Sequence, residues 1–308
     1  MAMGVLMQQI AVIFLEILLG VVGFKTGVIT DKDSKFMSGL VMKLLIPCTM
    51  LAGTNIEGGR TVVVRMAQAF LLTFALYVGS TGLCLLVNRL RKGTAGQKAV
   101  LVGTAAMPNC GFIGMPLANS VVGAEMGTLY ATAGMASYNV WLFTYVEYLF
   151  RPGQKMKLKS LITPANVATL ATVILLVTGL RLPTTLQTVC SAVGGCTTPL
   201  ALIIVGVTLA QTNVKELVVQ PLLYLITVLR GIVFPLLFML VMAALPLDRT
   251  MCLALAAIAS CPSGSLAVVI AKQTGTEEKL AGQAVAQSTL FMLITVPVML
   301  TVAGYLFG

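Results

Sequence analysis

Apolar residues run along this chain in blocks of about twenty, cut by short polar stretches, from one end to the other. A bilayer core about 30 Å thick asks for roughly 20 apolar residues per spanning helix. On that measure the pattern predicts ten spans, at 5–24, 34–53, 66–88, 97–121, 126–150, 164–181, 187–210, 218–244, 250–272 and 279–307. Little chain is left over for a soluble module. The loops are short, which favours antiparallel neighbours. The longest, 151–163 (RPGQKMKLKSLIT), lies mid-chain. The expected fold is an all-α integral membrane protein.

Composition agrees. Of 308 residues 58% are hydrophobic and only 10% charged, against about a quarter charged in soluble domains. Histidine is absent, which removes the usual ligands of zinc and haem and any Ser–His pair. The aspartates Asp31, Asp33 and Asp248 fall in loops and no HExxH motif occurs. These observations argue against an enzyme, and no cofactor or metal is expected. The seven cysteines lie in apolar segments without a CxxC pair, as small packing residues do. The first segment lacks the basic region and small-residue cleavage site of a signal peptide, so it is expected to stay as span one.

A net charge of +10 could point to nucleic acid, but the basic residues sit in short loops, as the positive-inside bias predicts. With the N-terminus outside, the inner loops carry Lys25, Lys32, Lys35, Arg89, Arg91, Lys92, Lys98, Arg151, Lys155, Lys157, Lys159, Lys215, Lys272 and Lys279. The outer loops carry only Arg60, Arg65, Arg181 and Arg249. The expected topology is a multi-pass protein of the cell inner (plasma) membrane with both termini outside and no nucleic-acid partner.

An internal repeat is legible. Thr26-Gly27 recurs as Thr178-Gly179, Pro47 as Pro199, and Gly123 with Glu125 as Gly275 with Glu277, all 152 residues apart, while Pro108 and Pro262 are 154 apart. Five spans per unit is an odd number, so the halves must be inverted: 1–150 as the first repeat, 151–163 as a cytoplasmic loop, and 164–308 as the second. Inverted repeats are a mark of secondary transporters. In spans four and nine Pro108 and Pro262 fall near mid-depth, followed by Asn109, Cys110, Gly111 and by Ser263, Gly264, Ser265. A proline removes a donor and disfavours helix at the residue before it. Each taken singly is an ordinary kink. Placed symmetrically, two broken crossover helices would aim the positive N-termini of their second halves at one point, which suits an anion.

Four ionisable residues fall inside spans. Glu16 and Lys43 lie at similar depth in spans one and two, and the expectation is a neutralising pair. Glu147 and Arg151 are spaced for an i,i+4 pair. Arg230 has no such carboxylate, and two roles stay open: facing the cavity to offset a substrate carboxylate, or holding backbone carbonyls at the crossover. Asn139, with Gln287, Ser288 and Thr289, is placed to complete a cavity wall or to bond helix to helix.

Four stretches carry a resemblance: NCGFIGMPL (109–117), NVWLFTY (139–145), PLALIIVGVTLA (199–210) and STLFMLITVPVM (288–299). Together they resemble the auxin efflux carrier family in its compact bacterial form, over nearly the whole chain. The resemblance implies a scaffold of spans 1, 2, 6 and 7 that forms a homodimer, and a transport domain of spans 3–5 and 8–10. It implies elevator-type carriage of small organic anions such as malonate, malate or auxin-like acids, with the site at Pro108, Asn109 and Pro262. The candidate substrate-binding set is Pro108, Asn109, Gly111, Asn139, Arg230, Pro262, Ser263, Ser265 and Ser288. The rival readings are a bile-acid/sodium-symporter-like carrier, a channel, and a non-transporting receptor on the same fold.

Overall fold

The computed structural model describes residues 3–54, 59–151, 162–211, 214–218 and 220–308. The central loop with Lys155, Lys157 and Lys159 lies outside the described residues. The chain is all-α. In order come α1 (Met3–Lys25), α2 (Asp31–Ala52), α3 (Gly59–Leu90), and α4 (Ala95–Leu101 with its continuation Val102–Ala106). Next are α5 (Cys110–Val122), α6 (Ala124–Trp141, running on through Leu142–Val146 and Glu147–Phe150), α7 (Pro164–Thr178) and α8 (Thr184–Gln211). A single turn, α9 (Val214–Leu217), precedes α10 (Pro221–Ala243), α11 (Arg249–Ala259), α12 (Leu266–Thr274) and α13 (Glu278–Phe307). Five of these, α2, α3, α8, α10 and α13, are long and apolar enough to cross a bilayer.

The helices fall where the apolar blocks predict, with ends that shift by a few residues, and two of the shifts have a visible cause. Helix α3 begins at Gly59, well before the expected 66, because its first turns continue past the apolar stretch, and Arg65 there meets Asp248 at 3.5 Å. Helix α7 stops at Thr178 because Gly179 takes φ 70°, the left-handed conformation that closes helices. The positive-φ glycines among the described residues are Gly27, Gly123, Gly179 and Gly275. They are two pairs, each 152 residues apart, which are the glycines of the sequence repeat.

Proline shapes the helix interiors in a regular way. Four stretches widen into π-helical turns that end two residues before a proline: Val41–Leu45 before Pro47, Val102–Ala106 before Pro108, Cys110–Gly114 before Pro116, and Leu229–Val233 before Pro235. The ring clashes with the carbonyl four residues back and supplies no donor. In three of the four the residue just before proline therefore donates to the carbonyl five back: Ile46 to Val41, Met115 to Cys110, and Phe234 to Leu229. The helix is preserved, but with a wider turn.

Packing sorts the helices into two neighbourhoods. Helix α1 lies chiefly on α8, and α2 packs chiefly between α7 and α8. The α1–α8 contact is backbone to backbone: a Cβ at Gly20 would overlap the Ile203 carbonyl, and one at Gly206 the Ile17 carbonyl. Small residues allow such an approach where no hydrophobic force drives helices together. Helix α2 is tied to α8 by Thr49 Oγ1, which donates to Gly194 O at 3.0 Å, and to α7 by Thr172, which donates to Met50 O at 3.3 Å. The second neighbourhood joins α3 to α6, α6 to α5 and α11, and α13 to α10, α11 and α12.

This arrangement corrects one expectation. Glu16 and Lys43 form no ion pair among the described residues, and α1 and α2 are not packed on one another. Sequence adjacency suggested the pair, but the glycine contact takes α1 to α8 instead. The Glu147–Arg151 pair is present at 3.4 Å, and Arg151 also donates to Gln273 at 3.1 Å. All seven cysteines are free.

Candidate functional site

The site begins with two prolines. Pro108 forces Met107 into extended backbone (φ −107°, ψ 109°), so α4 stops at Ala106 and α5 restarts at Cys110. Pro262 lies in the matching gap between Ala259 and Leu266. The two gaps cross as a short antiparallel bridge between Pro108 and Ser263. Asn109 N–H donates to Pro262 O and Gly264 N–H to Met107 O, each at 2.8 Å. Backbone freed by a helix break deep in a membrane must find partners within the protein. Here each break supplies them to the other.

Side chains hold the crossing from two sides. Ser288 Oγ on α13 accepts from Ser263 N–H at 3.1 Å and donates to Val285 O at 3.0 Å. Arg230, on the wide turn of α10, is 0% exposed. One terminal nitrogen donates to Ala105 O and Ala106 O, each at 3.3 Å, and the other donates to Ala259 O. It therefore binds the carbonyl ends of α4 and α11, where the helix dipoles leave partial negative charge. Of the two roles open for Arg230, this is the geometry of the second.

The opposite side of the crossing presents donors. Asn109 Oδ1 caps α5 by accepting from Phe112 N–H at 3.3 Å. Among the described residues the N–H groups of Gly111, Ser265 and Leu266 have no hydrogen-bond partner. They border a cavity of about 220 Å³. Pro108, Asn109, Gly111, Asn139 and Ser265 line it, together with Lys43 and Tyr138. Its wall runs on to Thr163–Ala165 at the start of α7. A second space of about 400 Å³ adjoins it, sharing Met42, Asn109, Phe112, Ser265 and Leu266. Among the described residues no acidic side chain lines either space.

The structure thus gathers five of the nine sequence-picked residues on one cavity wall. Pro262 and Ser263 form the crossing behind that wall, Ser288 props it, and Arg230 lies on the carbonyl side, off the cavity. Asn139 both lines the cavity and donates to Asn166 on α7 at 2.5 Å, so the two roles open for it coexist. Gln287 is taken up by helix contacts, accepting from Thr227 at 2.6 Å and donating to Leu217 O at 2.9 Å. Thr289 lines the second space.

Among the lining residues that the sequence did not single out are Lys43 and Tyr138. Lys43 was assigned to Glu16, although a lysine at mid-depth is as unusual as Arg230 and invites the same question. Tyr138 had no signal in the sequence. Its hydroxyl would stand 2.7 Å from a Cβ placed on Gly264, so it reaches the crossing itself.

A multi-span helical protein whose two interrupted helices meet over a donor-lined cavity has the form of a small-molecule transporter. A family model described as Membrane transport protein matches residues 5–300. The chain belongs to that family, the auxin efflux carriers, a family of secondary transporters of small molecules and not of enzymes. Among curated proteins, none matches this sequence.

Proposed function

We propose that this chain is a secondary carrier of small organic anions, with ten spans in two inverted repeats and an elevator-type alternation. The observation that carries the substrate class is the cavity at the crossing. Residues with unpaired N–H groups at the starts of α5 and α12 line it, and among the described residues no carboxylate does and one lysine does. Helix N-termini with free N–H groups attract anions. Asn109, Asn139 and Ser265 add neutral hydrogen-bonding groups that orient a carboxylate.

The inverted-repeat reading draws on the two glycine pairs and on loop contacts. Gln211 donates to Asp31, Thr94 to Glu277 and Arg151 to Gln273, joining loops that an alternating path puts at one face. Arg65 and Asp248 meet at the other. The elevator reading draws on the two packing neighbourhoods: α1, α2, α7 and α8 would be the scaffold, through which the protein dimerises, and the helices that carry the crossing would move against it. The excess of positive charge in the inner loops supports an orientation with both termini outside.

The test is transport by the purified protein in proteoliposomes preloaded with unlabelled malonate. A carrier gives saturable uptake of labelled malonate with counterflow. Non-saturating conductance would make it a channel, and binding without flux a receptor. Either result refutes the carrier. A crosslink between α2 and α5 should stop flux, and unimpeded flux would refute the elevator.

A further inference from the structure

The cavity at the crossing has walls from both packing neighbourhoods, and the one charged side chain that lines it among the described residues comes from the wall without the crossing. Lys43 stands on the wide turn of α2, one turn before Ile46. A Cβ on Gly111 would lie 3.5 Å from Ile46 Cδ1, so this face of α2 is against the start of α5. Lys43 is exposed, lines the cavity, and has no ion pair or hydrogen bond among the described residues. It lies twelve residues from one end of α2, Asp31, and nine from the other, Ala52, about 18 and 14 Å along the axis at 1.5 Å per residue. Both are too far for its stem to lift the ammonium to the headgroups. A charge at this depth needs a counter-ion or water, and the cavity is where either would come from.

We infer that Lys43 is a second anchor for the cargo, one that selects dianions and is offered in one transport state only. The inference rests on the anion-carrier reading above and deepens it. Two helix N-termini present about half an elementary charge each, together roughly enough for one carboxylate. Lys43 adds one full charge, and among the described residues neither adjoining space holds an acidic one to cancel it. The wall therefore balances two negative charges. The first carboxylate takes the N–H groups of Gly111, Ser265 and Leu266, and the second reaches Lys43 across the gap.

The placement also makes the anchor conditional. Helix α2 packs chiefly on α7 and α8, whereas the crossing is carried by α4, α5, α11 and α12. When the crossing moves relative to α2, the cargo travels with the crossing and leaves Lys43 behind. Affinity for a dianion is then higher in the state shown, whose cavity extends to Thr163–Ala165, than in the opposite state.

The experiment compares wild type, Lys43→Gln and Lys43→Arg, with malonate as the dianion and acetate as the monoanion, at pH 7.5. Binding is titrated calorimetrically in detergent, and half-saturation is measured from each face of proteoliposomes of defined orientation. Losing one charged hydrogen bond predicts about 10-fold to 100-fold weaker malonate binding in Lys43→Gln, with acetate changed less than about threefold, while Lys43→Arg keeps the preference for malonate. The sidedness of malonate affinity should disappear in Lys43→Gln. Unchanged malonate affinity in Lys43→Gln, equal loss for both anions, or retained sidedness would overturn the role of Lys43 and leave the carrier standing. A wild-type protein that neither binds nor moves either anion would overturn both.

Discussion

Arg230→Met separates two jobs that an intramembrane arginine can do. In the structure its guanidinium donates to three carbonyls, Ala105 and Ala106 at the end of α4 and Ala259 at the end of α11, from a fully buried position. Each hydrogen bond to a charged group contributes about 1.5–3 kcal/mol. The three carbonyls left unpaired cost about 1–3 kcal/mol each, and relief of the guanidinium's desolvation offsets part of that sum, for a net of about 3 kcal/mol. At about 2–4 °C per kcal/mol for a chain of this order, the unfolding midpoint in detergent should fall by about 10 °C. Lysine offers a point charge and cannot span both helix ends, so Arg230→Lys should recover less than half of the loss. The measurement is thermal unfolding by tryptophan fluorescence, with anion binding followed in parallel. A cargo ligand would behave otherwise: removing it would spare the midpoint and abolish binding. If Arg230→Met unfolds at the wild-type temperature but no longer binds malonate, the carbonyl-holding argument is wrong.

Two further substitutions probe close approaches. Gly264→Ala puts a methyl 2.7 Å from Tyr138 Oη, 3.0 Å from Pro108 O and 3.3 Å from Met107 O. It should force the crossing apart, cutting malonate uptake at least about tenfold at equal protein level, as a 1 Å misplacement at a site does; uptake at the wild-type rate would show that the crossing tolerates it. Gly206→Leu drives a side chain into the Ile17 carbonyl of α1. It should destabilise the α1–α8 contact by about 3 kcal/mol, the upper end of ordinary overpacking, and a wild-type unfolding midpoint would refute the contact.

The helix positions were legible because block length and apolarity are written locally in the sequence. The two breaks were legible for a similar reason: Pro108 and Pro262 act on their own backbone, and their spacing invites comparison of the halves. Partners of buried charges were not legible in the same way. Glu16 and Lys43 share a depth and sit on consecutive helices, but depth fixes one coordinate and rotation about the helix axis fixes the other. That rotation was set by Gly20 and Gly206, which turn α1 toward α8. Tyr138 is a further case. Nothing near it in sequence distinguishes an aromatic that touches Gly264 from one that fills the core.

Proline alone does not make the crossing. Pro47, Pro116 and Pro235 sit inside helices that continue, because the turn before each widens and the neighbouring N–H finds the carbonyl five back. The same widening precedes Pro108, at Val102–Ala106, yet there the helix ends. The difference is an alternative partner. Met107 O receives Gly264 N–H, and Pro262 O receives Asn109 N–H, so the broken backbone is satisfied from across the gap. Arg230 then takes the carbonyls left at both helix ends. With those three carbonyls bound on one side by Arg230, the unmet donors of Gly111, Ser265 and Leu266 belong to residues that line the cavity. The polarity of the site therefore follows from where the arginine sits: moving that charge to the cavity side would leave carbonyls unpaired and donors competing with it for the same anion.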